Sequence, residues 1–370
     1  MKLKRIIAFA LAMTMLTTTA YAAEVPQAEQ TLPILTFEDA LEKVKKHDVS
    51  LRNLSDQNDL LRKTKGDVWD QVGGFSLPDY SYQYWVDDMM YSYYSMVQSV
   101  ESGLATSKHS EKLLHLTAEL TVMNSLMTIC ISEDGYKLMQ DSFAVTQLQY
   151  NQGVVRHRLG LISAYELSQL KMTMDKAQLD LDKMALSIDA LYIGLNNLMG
   201  EAADKRYEIE YDATYEKYEL SMNLDQYINN SLRKDYTILI KEQAVEDTKF
   251  TMNVLAESDT NTQSNSRALS HTLAKRELKT AKENKESAIR TAFSAIQQAD
   301  IDYANALKDL ESAKEDLRVV ELNYRAGNIT KLTLDSAALQ VAAREQALEQ
   351  LAYTYELQVF MFENTSLLNN

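Results

Sequence analysis

Apolar residues recur at seven-residue intervals along much of the chain. Leu167, Met174, Leu181, Ile188 and Leu195 form one row, and Leu334, Val341, Leu348, Tyr355 and Phe362 form another. A row of that period is the seam of a helix wound against a second helix, so each predicts a helix of about 35 residues. A further seam precedes the later row, with Ala292, Ala299, Ala306, Ala313 and Val320 at one position and Ile296, Tyr303, Leu310, Leu317 and Tyr324 at the other. Small residues facing large ones let helix axes approach closely in a left-handed coiled coil. Ahead of the earlier row the large positions are Ile129, Tyr136, Phe143 and Tyr150, ending at His157. The small positions there, Ser125, Ser132, Met139, Thr146 and Gly153, are less regular.

These rows belong to two copies of one unit. RLGLISAYELSQL from Arg158 aligns with RAGNITKLTLDSAAL from Arg325 (325 − 158 = 167), pairing Gly160 with Gly327, Ile162 with Ile329, Ser163 with Thr330 and Leu167 with Leu334. Each copy also has an opening helix, TFEDALEKVKKHDVSLRNLSDQ from Thr36 and NLDQYINNSLRKDYTILIKEQ from Asn223 (223 − 36 = 187). Thr36, with Asp39 three positions on, has the form of an N-cap. The shift grows by 20 residues (187 − 167 = 20), so the first copy carries an insertion between its opening and long helices. Each unit reads as an opening helix, a connector, a helix of about 60 residues, a tight Gly turn and a helix of about 35 residues. The long helix would reach roughly 90 Å.

The expected organisation is a signal peptide at 1–22, a first helical repeat at 23–204 with a Tyr-rich insertion at 76–96, a linker at 205–221, and a second repeat at 222–370. Lys2, Lys4 and Arg5, the apolar run IIAFALAMTMLTTT and Ala20-Tyr21-Ala22 make the secretory signal. An exported mature chain follows, with no Cys directly after the cleavage site to carry a lipid and no apolar run near the roughly 18 residues of a membrane span. Removing the three basic signal residues takes the formal charge from −15 to −18 (−15 − 3 = −18). That balance argues against nucleic acid and anionic headgroups as partners. Only 3 Pro and 10 Gly in 370 residues fit long helices rather than turns, giving an all-α reading.

The repeated phrases resemble those of the TolC family of outer-membrane efflux proteins, and the resemblance spans nearly the whole mature chain. It rests on the two tandem copies, the opening phrase LTFEDALEKVKKHDVSL and, most specifically, the twin turns. The resemblance implies two tandem repeats of long antiparallel coiled-coil helices, the protomer of an α-barrel. It also implies a homotrimer in the cell envelope, placed in the outer membrane by family likeness, that works as the passive channel of a tripartite export system. Its turns would form the tip that docks a periplasmic adaptor (membrane-fusion) protein of an inner-membrane pump. Carried over residue by residue, the tip comprises Arg158, Gly160, Ile162 and Ser163 in the first copy and Tyr324, Arg325, Gly327, Ile329 and Thr330 in the second, with Glu166 as the acid of a tip gate. The second copy has Thr333 at that acidic position and its nearest acid at Asp335.

The family also inserts one β-hairpin per copy to build a membrane barrel, and here the chain departs. ESDTNTQSNSR (from Glu257) is polar, lacks alternation and is too short for two spanning strands. In the first copy, Tyr80, Tyr82 and Tyr84 alternate with polar residues, and Val86-Asp87-Asp88 would turn the chain back. A spanning strand needs about 9–11 residues, so at most one short hairpin and no family-sized barrel is expected. Tyr80, Tyr82, Tyr84 and Trp85 suit either an aromatic plug or contact with a membrane interface or cell-wall sugar.

Chemistry is not signalled elsewhere. His47, His109, His115, His157 and His271 are scattered without ligand spacing, Cys130 reads as a small core residue, and no phosphate loop or nucleophile elbow occurs. No enzyme, cofactor or metal is expected. Two plainer alternatives stay open: the Gly turns serve only as helix connections, and the chain is a structural or binding helical protein of the envelope that encloses no channel.

Overall fold

The structure is a computed structural model that describes residues 32–71, 73 and 77–368. The signal segment 1–22 and Ser76, at the start of the Tyr-rich insertion, lie outside the described residues. Among the described residues eight α-helices carry the body: α1 (Phe37–His47), α2 (Val49–Gln71), α3 (Asp88–Arg158), α4 (Ala164–Met199), α5 (Leu224–Leu232), α6 (Tyr236–Asn253), α7 (Asn261–Arg325) and α8 (Lys331–Glu363). The long helices of the two copies, α3 and α7, run 71 and 65 residues. At 1.5 Å per residue α3 spans about 105 Å.

Both opening helices are broken where the sequence pattern predicts one continuous helix. The breaks fall at Asp48 and Asp235, which are separated by the shift that relates the two copies (235 − 48 = 187). Each aspartate turns its carboxylate onto the first turn of the next helix: Asp48 accepts from Ser50 N at 2.7 Å, and Asp235 from Thr237 N at 2.9 Å and Ile238 N at 3.2 Å. A side-chain acceptor placed there satisfies first-turn N–H groups and starts a new helix within an otherwise continuous apolar pattern. Thr36 caps α1 as expected, accepting from Asp39 N at 3.2 Å.

Among the described residues four short strands form two parallel pairs, the first joining the start of the first copy to the 205–221 link and the second joining the two copies. β1 (Ile34–Thr36) lies beside β3 (Glu208–Glu210), and β2 (Tyr84–Val86) beside β4 (Val254–Ala256). Among the described residues there is no hairpin and no barrel. The Tyr80–Tyr84 alternation yields only three strand residues, because Asp87 accepts from Met90 N at 2.8 Å and starts α3 rather than turning the chain back. ESDTNTQSNSR supplies no strand: Thr260 and Gln263 form a capping box, and the residues from Asn261 on belong to α7.

Helix pairs pack in the order α4–α3–α8–α7 in the half that holds the Gly turns and α2–α3–α6–α7 in the other. The seams face inward: Leu181, Leu195, Ile289, Ile296, Leu310 and Val341 are buried. Among the described residues α3 is long and apolar enough to cross a membrane by length and composition, where no such run was expected. Val122, Leu126 and Ile129 of that helix form a core cluster with Val44 of α1 and Leu195 of α4.

The link from Lys205 to Ser221 is an ordered strap rather than a loose connection. Tyr215 stacks on Tyr303 with centroids 3.8 Å apart and leans on Tyr355 at 4.8 Å. Its hydroxyl donates to Asp300 Oδ1 at 3.0 Å, while Tyr218 N donates to Tyr355 Oη at 2.6 Å. Tyr211 donates to Glu356 Oε1 at 2.9 Å and accepts at its carbonyl from Tyr353 Oη at 3.0 Å.

Candidate functional site

The two Gly turns are one device built twice. Gly160 has φ 73° and Gly327 φ 75°, the left-handed region that favours glycine, and an added Cβ would meet nothing within 4 Å at either. The residue after each Gly reaches back five positions, Leu161 N to Arg156 O and Asn328 N to Asn323 O, both at 2.9 Å. Each Gly itself donates three positions back, to His157 O and Tyr324 O, also at 2.9 Å. These bonds close the last carbonyls of α3 and α7 in the manner of a Schellman ending. His157, the end of the first seam, brings Nδ1 within 3.0 Å of Ile162 O and fastens the turn to the helix it leaves.

The outgoing helices begin on Ser163 and Thr330. Ser163 Oγ accepts from Glu166 N at 3.2 Å, and Glu166 Oε2 accepts from Ser163 N at 2.7 Å, a reciprocal capping box. These hydrogen bonds hold the Glu166 carboxyl below its usual range. In the second copy Thr330 Oγ1 accepts from Thr333 N at 3.3 Å and lies 3.1 Å from Thr333 Oγ1. The acid present in one copy and absent from the other is thus a difference between two caps.

Around the turns the structure shows apolar exposure that the sequence pattern of the tip leaves out. Val155, Leu159, Leu161 and Tyr165 are 54, 68, 65 and 72% exposed. Arg158, Gly160, Ser163, Arg325, Gly327 and Thr330 are exposed with them, Tyr324 is partly so, and Ile162 and Ile329 are half-buried. The signal was available in the phrase VVRHRLGL, where two apolar residues flank the Gly with no seam to enter.

A second missed feature runs back from the tip along α4. Tyr165, Met172, Leu179, Leu186 and Ile193 repeat every seven residues, and all are exposed, between 42 and 72%. They stand two positions before the row Leu167 to Leu195, in which Leu181 and Leu195 are buried and the others half-buried, hence about 200° around the helix on its far side. The row has the spacing of a helix–helix seam, and no helix of this chain covers it.

At the far end, Tyr80 packs edge-on against Phe250 at 5.5 Å and receives Asn253 Nδ2 on its carbonyl at 2.8 Å. Tyr84 is half-buried, and burial pushes its hydroxyl up to about 12. Tyr82 and Trp85 are 66 and 51% exposed. The four aromatics therefore divide into two that anchor the segment and two that face outward.

Cys130 is half-buried, its thiol pushed up to about 11 by burial. No cluster of three metal-ligating side chains occurs among the described residues.

No family model and no curated protein matches the sequence. Solved structures do match over nearly the full length. The Campylobacter jejuni CmeC outer membrane channel aligns with TM-score 0.68 at 10% identity, covering 96% of this chain and 94% of that one. CusC, described for its folding and transmembrane channel formation, gives 0.67 at 10% identity over 89% and 91%. The open state of the Neisseria gonorrhoeae MtrE outer membrane channel gives 0.63 at 14% identity over 90% and 89%. At such identities the shared property is the fold, which is the TolC-type helical protomer implied by the repeated turns.

Proposed function

We propose that this chain, built on the fold of outer-membrane channel protomers, is the passive conduit of an export system in the cell envelope. The observation that carries the reading is the open helical array α4–α3–α8–α7, with α4 and α7 at its edges and the exposed Tyr165 to Ile193 row along one of them. Four helices in a row enclose nothing, but copies joined edge to edge do, and a homotrimer of twelve helices makes a hollow cylinder. The row extends about 42 Å, so joining copies along it buries a long apolar seam.

In this reading the repeats 23–204 and 222–370, joined by 205–221, act as two staves per copy, and the signal at 1–22 exports the chain. The tip residues Arg158, Gly160, Ile162, Ser163, Tyr324, Arg325, Gly327, Ile329 and Thr330 dock a periplasmic adaptor of an inner-membrane pump. The exposed Val155, Leu159, Leu161 and Tyr165 around them give that contact its apolar area. Glu166 is engaged in its cap, so a gating role would require the carboxylate to leave Ser163 N. Substrate choice belongs to the pump. Tyr82 and Trp85 face a membrane interface or cell-wall sugar at the other end.

A second reading, a helical envelope protein that encloses no channel, draws on the absence of barrel strands among the described residues. The test is Leu179→Glu with Leu186→Glu. The conduit reading expects a wild-type oligomer by light scattering and a folded monomer for the double variant. A monomeric wild type, or a double variant that assembles normally, overturns it.

A further inference from the structure

Charge is divided unevenly between the Gly turns and the rest of the chain. Within five residues either side of Gly160 and Gly327, at 155–165 and 322–332, stand Arg156, Arg158, Arg325 and Lys331 and no acid, so the remaining sequence carries −19 (−15 − 4 = −19). All four cations are exposed. The next acids along the chain answer two of them. Glu321 pairs with Arg325 at 3.7 Å, and Glu166, fixed in its cap, lies in the field of Arg156. Arg158 and Lys331 make no ion pair among the described residues.

Helix-end electrostatics explain one of these two and not the other. A helix C-terminus favours a cation, and Arg158 is the last residue of α3. A helix N-terminus favours an acid, yet Lys331 is the first residue of α8, whose first turn holds none. The matching helix α4 has Glu166 there. Lys331 thus works against the helix it begins, while Thr330 caps that helix through Thr333 N without its help. α3 and α8 are the two middle helices of the α4–α3–α8–α7 array, so both unanswered cations belong to its centre. Exposed apolar residues flank them, Leu159, Leu161 and Tyr165 on the side of α4 and Leu322 on α7.

We propose that the tip docks a protein surface that presents carboxylates to Arg158 and Lys331 around an apolar centre. The proposal rests on the turns being the docking end. A basic surface would meet like charge there and be rejected. A lipid bilayer fits poorly, because the extremity of the second turn is Ala326, Gly327 and Asn328, all exposed, and the Asn328 amide would enter the apolar layer without a hydrogen-bond partner. Both turns are already pinned by their own backbone bonds, so docking has little order to impose on them.

The experiment places a photo-crosslinking amino acid at Leu161 of the full chain in its own cells and identifies the captured species by mass spectrometry. The expected product is a segment of another protein with more Asp and Glu than Lys and Arg around the linked residue. Lys331→Glu should cut the yield at least ~5-fold and Arg158→Gln ~2-fold or more, while Lys331→Arg should keep it. Lys331→Glu places an acid at a helix start, so its melting temperature by circular dichroism should hold or rise, which separates lost docking from lost folding. A captured segment without an acidic excess, or a yield that Lys331→Glu leaves unchanged, overturns the charge assignment and leaves docking at the turns standing. Capture of phospholipid or of this chain alone, or of nothing, overturns both.

Discussion

Lys285 Nζ lies 3.5 Å from Asp235 Oδ2, with the two side chains 1% and 0% exposed. The lysine also donates to the carbonyls of Thr365 at 3.1 Å and Leu368 at 2.7 Å, and Thr365 Oγ1 donates to Asp235 Oδ2 at 3.2 Å. One ion pair thus ties the start of α6, the middle of α7 and the chain's last described turn. Burial holds the Lys285 ammonium below its usual range, with Asp235 opposing the shift. Removing one partner of a buried pair leaves the other uncompensated, so Lys285→Met should cost about 3–5 kcal/mol. Urea unfolding of the variant measures this; a loss under ~1 kcal/mol would show that the pair is not holding the tail.

The caps at the tip carry separate expectations. Ser163→Ala and Thr330→Ala each remove a first-turn acceptor and should cost about 0.5–2 kcal/mol. Acid distinguishes them. Glu166 has a depressed carboxyl, so its contribution is present above the ordinary glutamate range and lost as pH falls through the lower folded value. The Thr330–Thr333 cap contains no such group, so amide exchange in the first turn of α4 should accelerate in acid more than in α8.

The Tyr strap sets alkaline stability. Burial pushes Tyr215, Tyr227 and Tyr355 each up to about 12. An acid with a raised folded value holds its proton while the unfolded chain releases it, so stability is retained below about 10 and lost as pH rises from there toward 12. Lys285 acts oppositely just below its ordinary value, but it is one group against several. Tyrosinate absorbance should lag model tyrosine and then rise together with loss of helical signal. Independent ionisation near 10 in a folded chain would contradict the packing described for the strap.

The glycines allow a control. Gly66 sits within α2 with open space where a Cβ would go, so Gly66→Ala should stabilise by about 0.5–1 kcal/mol. Gly160→Ala and Gly327→Ala should each destabilise by about 1–2 kcal/mol from backbone strain alone. Thermal melts of the three variants check the order; equal shifts would refute the left-handed assignment.

What the sequence disclosed was local and periodic. The heptad rows, the two Gly turns and the cap at Thr36 each depend on neighbours within one or two helical turns, and the structure has them. Other features depend on distant pairing. β2 and β4 are three residues each, meet only because two copies lie side by side, and leave no alternation long enough to read. The breaks at Asp48 and Asp235 were hidden because the apolar pattern continues through them. The row from Tyr165 to Ile193 has the same period as the better covered row two positions later, and periodicity alone does not say which face is covered. The acid at Glu166 was legible as a tip residue, while its engagement with Ser163 N needed coordinates.

The central claim is that the open α4–α3–α8–α7 array closes only between copies. Single-particle imaging of the purified mature chain addresses it directly. The expected result is a three-fold hollow cylinder whose walls hold twelve helices, with the α4 row buried between protomers. A population of solitary four-helix bodies, at concentrations where light scattering also reads one chain, would contradict it.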